Sequence, residues 1–319
     1  MEVYQPLVDH VATRGPIARK LLSSLKQVRE ATVVSLDAQR AAKANAAEIL
    51  RSAKRPGHAD VPPAFAVAAF VHNYLVGQAE LILELPAMKQ FRKRIERADE
   101  EYMPSAPPMS PIMSSYFWSW ALYDLGIGAE RETIGQCILA VNRTFGMSPD
   151  FVAVAEHLVT SRLGMFVRGK QLGADLFALA EVVTGRDMVA VSASGHVGEP
   201  GELWLVRVLP PPLPELREHV VFGTPYVVRS PHAAAWHAYL DRAVTKVVTK
   251  DDVTTRYERL MKRGPTGESW HEYIFEAYSN HTAGAVFLRG VPDIDESRPH
   301  SRVSERLADE DLAPPPHVR

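Results

Sequence analysis

The hydrophobic period of this chain switches once, near Gly164, and that switch limits the fold more than any other feature. Before it, apolar residues recur three and four positions apart, the spacing of one helix face. After it, they alternate or run unbroken through short segments bounded by Gly and Pro, as strands do. Helices segregated from a small sheet make an α+β fold. The expected organisation is a multi-helix region over residues 1–164, a small mixed sheet with covering helices over 165–293, and a disordered tail over 294–319. The tail ends DLAPPPHVR and has too few apolar residues to bury.

In the helical half, Pro16 suits a first helical turn, and Ile17, Leu21, Leu25 and Val28 follow at helical spacing. No Gly or Pro interrupts that run before Pro56-Gly57, so it predicts one helix to about Lys54, with a kink allowed at the β-branched Thr32–Val34. A second helix starts at Pro63. Phe65, Ala68, Val71, Leu75, Ala79 and Ile82 make it apolar over much of its circumference, and Pro86 ends or kinks it. Later, Ile134, Ile138 and Val141 form one face that also carries Cys137, which reads as a small core residue. Ser148 followed by Pro149 starts the next helix, where His157 sits just off the apolar stripe.

PPMSPIMSSYFWSWALYDLG, residues 107–126, is the densest aromatic stretch. Tyr116, Trp120 and Tyr123 share one helical face, which suits a helix packed inside a domain. Met109 and Met113 lie among prolines, and flexible thioethers favour adaptable binding surfaces. Met109, Met113, Tyr116 and Trp120 are therefore also the candidate contacts for a protein partner.

In the second half, MFVRGKQ predicts a short strand and ADLFALAEVVTG a helix closed by Gly185. DMVAVSAS and ELWLVRVL predict strands joined by GHVGEPG. In the second, Trp204, Val206 and Val208 point one way, and Leu203, Leu205, Arg207 and Leu209 the other, so both faces are covered. HVVFGTPYVVRS predicts two short strands around Gly223. Three helices follow, at PHAAAWHAYLDRAV, DDVTTRYERLMKRG and SWHEYIFEAYSN, and AGAVFLRGVPD predicts a last strand.

Several chemistries are excluded. A single cysteine permits no internal disulfide and no Cys-rich zinc site. No phosphate-binding P-loop, dinucleotide GxGxxG, GxSxG elbow, HExxH or EF-hand spacing occurs. His271-Glu272 opens like a zinc motif, but the next histidine is His281, too far along a helix to share a metal. No metal site and no cofactor is expected. A formal net charge of -2 gives no global attraction to nucleic acid or anionic lipid. The basic run Lys89, Arg92, Lys93, Arg94 and Arg97 is the local exception. Glu96, Asp99, Glu100 and Glu101 follow at once, which fits a solvated helix better than a phosphate patch.

No long apolar run or leader pattern is visible, so a cytoplasmic location and no membrane contact are expected. Arginine outnumbers lysine among the 36 basic residues, which fits a GC-rich bacterial genome.

The most site-like segment is SGHVGEPGE. Gly195, Gly198 and Gly201 allow close backbone approach, and His196 with Glu199 offers a base and its orienting carboxylate. An ordinary long hairpin loop has the same composition. Arg207, in an otherwise apolar strand, needs a carboxylate partner such as Asp175, Glu181 or Asp187, or else an anionic ligand. Glu272 and Glu276, one helical turn apart, are a weaker carboxylate pair. Two function classes follow. One is a protein-interaction module or adaptor without catalysis, with a protein partner or a second copy of itself. The other is an enzyme with its site at the 195–201 loop.

Overall fold

In the computed structural model, which describes residues 15–31, 44, 47–52, 61–102, 114–229, 232–245, 252–264, 274, 278–281 and 284–288, the fold is α+β with its helices mostly N-terminal. The chain divides into two units that interleave along the sequence. The first holds residues 1–95, 118–161 and 208–222; the second holds 96–117, 162–207 and 223–319. Neither unit is one continuous stretch, so no single cut of the sequence separates them. The expected tail at 294–319 lies outside the described residues.

The first unit is helical. Helix α1 (Pro16–Ala31) begins at a carboxylate far away in sequence. Glu132 Oε2 accepts from Ile17 N (2.7 Å) and Oε1 from Ala18 N (3.0 Å), satisfying two of the free N–H groups of the first turn. Gly15 is needed there, because a Cβ would stand 2.1 Å from the Glu132 carboxyl carbon. The continuation from Thr32 to Lys43 lies outside the described residues. Helix α2 (Pro63–Leu83) stops where Leu85-Pro86 forces extended backbone, and a short 3-10 turn, Pro86–Met88, leads into α3 (Lys89–Tyr102).

Among the described residues, α2 alone has the length and apolarity to cross a membrane. Its buried positions, including Val67, Val71, Leu75 and Ala79, lie against two later helices of the unit. These are α5 (Ile134–Thr144), opened by a Thr133–Gln136 capping box, and α6 (Pro149–Thr160), capped by Ser148. Polar groups in this core are paired: Gln78 with Asn142 through two amide bonds of 2.9 Å, and His72 Nδ1 with the Tyr123 hydroxyl at 2.8 Å.

The sheet lies mostly in the second unit, with 208–209 of β4 and 219–222 of β5 assigned to the first. Strands β1 (Leu163–Gln171), β2 (Leu176–Glu181), β3 (Asp187–Ser192), β4 (Leu203–Leu209) and β5 (His219–Val228) are followed by β6 (Tyr278–His281) and β7 (Val286–Leu288). The order is β3-β2-β1-β4-β5-β7-β6, and β3 also pairs with β5, closing the first five strands into a ring. Strand β4 is buried along its whole length, as its two apolar faces require. Helices α7 (His232–Thr245) and α8 (Val253–Arg263) pack on each other, and the Tyr257 hydroxyl of α8 accepts from Met165 N of β1 at 3.0 Å.

Two expectations change. ADLFALAEVVTG is not a helix: it holds strand β2 and a turn ending at Gly185. Phe177, Leu179 and Glu181 are buried in alternation with half-buried Leu176, Ala178 and Ala180. A short apolar run fits either period, and antiparallel pairing with β1 decides it. HVVFGTPYVV is one strand rather than two, because Gly223, at φ +95°, absorbs the irregularity without breaking the strand. Of SWHEYIFEAYSN, most lies outside the described residues, and Tyr278–Asn280 at its end belong to β6.

Candidate functional site

The site-like loop is shaped by its own turn residues. In Glu199-Pro200-Gly201-Glu202, Glu202 N donates to the Glu199 carbonyl at 3.1 Å, and Gly201 takes φ +96°. Proline then glycine at the centre is the type II pattern: proline presets the first corner, and the second needs positive φ. The same glycine makes a bulge against β1. Gly201 N donates to the Arg168 carbonyl (2.7 Å), and Arg168 N donates to the Glu202 carbonyl (2.8 Å). Two residues of one strand thus face one of the other, with glycine at the first position, a device that re-aims the next side chain.

The side chain re-aimed is Glu202. Its Oε2 accepts from Trp204 Nε1 at 2.9 Å and lies 3.0 Å from His196 Nε2. The side chains of His196 and Glu202 keep 18% and 24% of their exposure, so the pair is shielded but reachable. Burial pushes the Glu202 carboxyl up, but the hydrogen bonds from His196 and Trp204, the His196 charge and the Glu199 backbone outweigh it. The net result lies below the ordinary value. An ionised carboxylate can only accept, so in the neutral imidazole the hydrogen sits on Nε2 and the lone pair on Nδ1. Gly198, at φ +62°, lies directly over this contact: a Cβ there would stand 2.2 Å from Glu202 Oε2 and 3.0 Å from His196 Nε2. His196 also packs its ring against Trp204 (5.8 Å) and Phe287 (6.2 Å).

The expected carboxylate partner is therefore corrected. Glu199 is exposed and contributes its carbonyl to the turn, while Glu202 meets the imidazole. A bulge sets which carboxylate turns inward, and helix-like spacing from His196 to Glu199 has no bearing on a loop. The signal was Pro200-Gly201, which fixes the turn that returns the chain at Glu202.

Arg207 is buried, as its strand pattern implied. Glu181, one of its suggested partners, is held instead by Arg162. Arg162 Nη1 donates to Glu181 Oε1 at 2.8 Å, and its Nη2 and Nε grip both oxygens of Glu258 on α8, the first at 2.7 Å. The guanidinium also stacks over Tyr257 at 4.9 Å, and Thr184 donates to Glu181. Neither Arg162 nor Glu258 was singled out from the sequence. They meet across 96 positions, a distance no local pattern reports.

The aromatic helix, α4 (Ser114–Tyr123), is interior. Tyr116 and Trp120 keep 8% and 3% exposure, so neither offers the partner surface expected of it. Met109 and Met113 lie outside the described residues, as do His271, Glu272 and Glu276. Cys137 is fully buried, and burial, with Glu132 adding to it, pushes its thiol up to about 12. In α3, Phe91, Ile95 and Ala98 are buried, while Arg92 pairs with Glu84 at 3.0 Å on the outside. Among the described residues no three His, Cys, Asp or Glu side chains converge as a metal site.

No family model, no curated protein and no solved structure matches the chain.

Proposed function

We propose that the chain is an enzyme that handles a proton on a small molecule bound at the loop 193–202 of the second unit. His196 is the acid–base group and Glu202 its orienting carboxylate. One observation carries this: Glu202 Oε2, held by Trp204, meets His196 Nε2 at 3.0 Å, while among the described residues no hydrogen bond reaches Nδ1. Nδ1 then accepts a proton from a bound molecule, the imidazole becomes imidazolium, and the ionised Glu202 balances its charge. The interaction-module reading drew on Met109, Met113, Tyr116 and Trp120. Burial of the last two withdraws much of its ground, so the dyad is the stronger reading.

Native mass spectrometry of the chain purified gently from its host tests this, alongside His196→Ala and Glu202→Gln. The expected result is a small molecule retained by the wild type and lost from both variants, with melting temperatures within about 3 °C of wild type, roughly 1 kcal/mol for a chain of this size. A wild type that retains nothing, with His196→Ala melting far lower, would mean that the dyad only pins the loop.

A further inference from the structure

Arg168 is the buried arginine of β1, and it lacks what Arg162, just before the strand, has. It is 2% exposed. Its Nη1 donates to the Gly169 carbonyl at 2.8 Å, and its guanidinium stacks at 4.9 Å over the Phe177 ring. Its Nε is buried with no partner, and among the described residues no carboxylate pairs with it. The carboxylate beside it in register, Glu202, turns Oε2 to His196 and Trp204 instead. An unpaired buried cation carries a large desolvation penalty, and such a group in a folded protein calls for an explanation.

Position supplies one. Side chains paired across a sheet share a face, so Phe166, Arg168, Trp204 and Glu202 point to the same side. Phe177 touches Trp204 (6.0 Å between rings), and Trp204 touches His196. Arg168 and the dyad are thus two ends of one buried aromatic stack, with Phe177 2% and Trp204 0% exposed. Beyond Phe287, Arg229 lies over that ring at 4.4 Å and adds positive charge.

Resting on the proposed acid–base site, we infer that Arg168 anchors an oxyanion, carboxylate or phosphate, of the small molecule that His196 acts on. The planar guanidinium fork fits either group through two parallel bonds. Phe177 and Trp204 suit a flat apolar body between the oxyanion and the reacting proton. Arg168 is closed from water, so the molecule enters by displacement of the loop at 193–201. Gly195, Gly198 and Gly201, all at positive φ, form the joints of that loop.

Calorimetric titration of the full chain with inorganic phosphate, phenyl phosphate and benzoate tests the inference. Saturable binding of phenyl phosphate or benzoate is expected, and the one that binds tells phosphate from carboxylate. Arg168→Met is expected to weaken it at least about tenfold and to melt no lower than wild type, because the substitution removes a buried unpaired charge. Arg168→Lys keeps the charge but loses the fork, so it should weaken binding at least about threefold. If these probes bind through Arg168 while no molecule is retained or converted through His196, the anchor stands and the acid–base reading falls. Wild type that shows no saturation below about 10 mM, or binding equal in wild type and Arg168→Lys, overturns the anchor.

Discussion

Two buried arginines, Arg162 just before β1 and Arg168 within it, have different surroundings. Arg162 makes four hydrogen bonds, three to the carboxylates of Glu181 and Glu258 and one to the Leu163 carbonyl, and its guanidinium stacks over Tyr257. Arg168 meets one carbonyl and one ring. The first cluster ties α8 to β1 and β2 and has no spare valence for a ligand. The second leaves, among the described residues, Arg168 Nε and His196 Nδ1 without hydrogen-bond partners. Burial alone therefore does not distinguish a structural arginine from a functional one. What distinguishes them is whether the protein completes the charge itself.

The sharpest way to break this comparison is Arg162→Met. It takes the guanidinium from the buried Glu181 and leaves Glu258 only the longer 3.7 Å pair with Arg186, and should cost about 3–5 kcal/mol in urea unfolding. Arg168→Met should have no such cost, so a similar loss for both would erase the contrast. Next in size is Gly198→Ala, where a left-handed backbone adds roughly 1–2 kcal/mol and the Cβ collides with Glu202. Gly185→Ala, also left-handed but in open space, is the control that carries only the backbone part. Only the Gly198 variant should shift the His196 ring nitrogen-15 signals away from the Nε2–H tautomer.

Trp204→Phe removes one of two donors to Glu202 and keeps most of the ring. The expected loss is about 1 kcal/mol by chemical denaturation. The smallest effect lies in the acid profile. Because the folded Glu202 carboxyl titrates below its ordinary value of 4.5, its contribution is fully present above that pH and disappears as the pH falls through the folded value. Glu202→Gln should therefore flatten the acid limb of a plot of urea midpoint against pH. An unchanged limb would remove Glu202 from the account.

Much of the fold was legible in the sequence because it rests on local rules. Pro63 and Ser148 open helices where turn and capping chemistry say they should. The strands at ELWLVRVL and DMVAVSAS follow from their apolar pattern. The segment read as a helix, ADLFALAEVVTG, was ambiguous because a short apolar run carries no period long enough to choose. At the site, His196 and the glycines were visible from composition, whereas Glu202 was displaced by its nearer neighbour Glu199.

Local patterns in the sequence carried the class of fold, the burial of Arg207 and the core character of Cys137. Each depends on residues close together along the chain. Only the tertiary structure decided that Glu202 meets His196, that Arg162 takes the carboxylates and that Arg168 goes without. Those outcomes depend on strand register and on one bulge opposite Arg168. Register is set by the pairing of whole strands, so no single stretch of residues contains it.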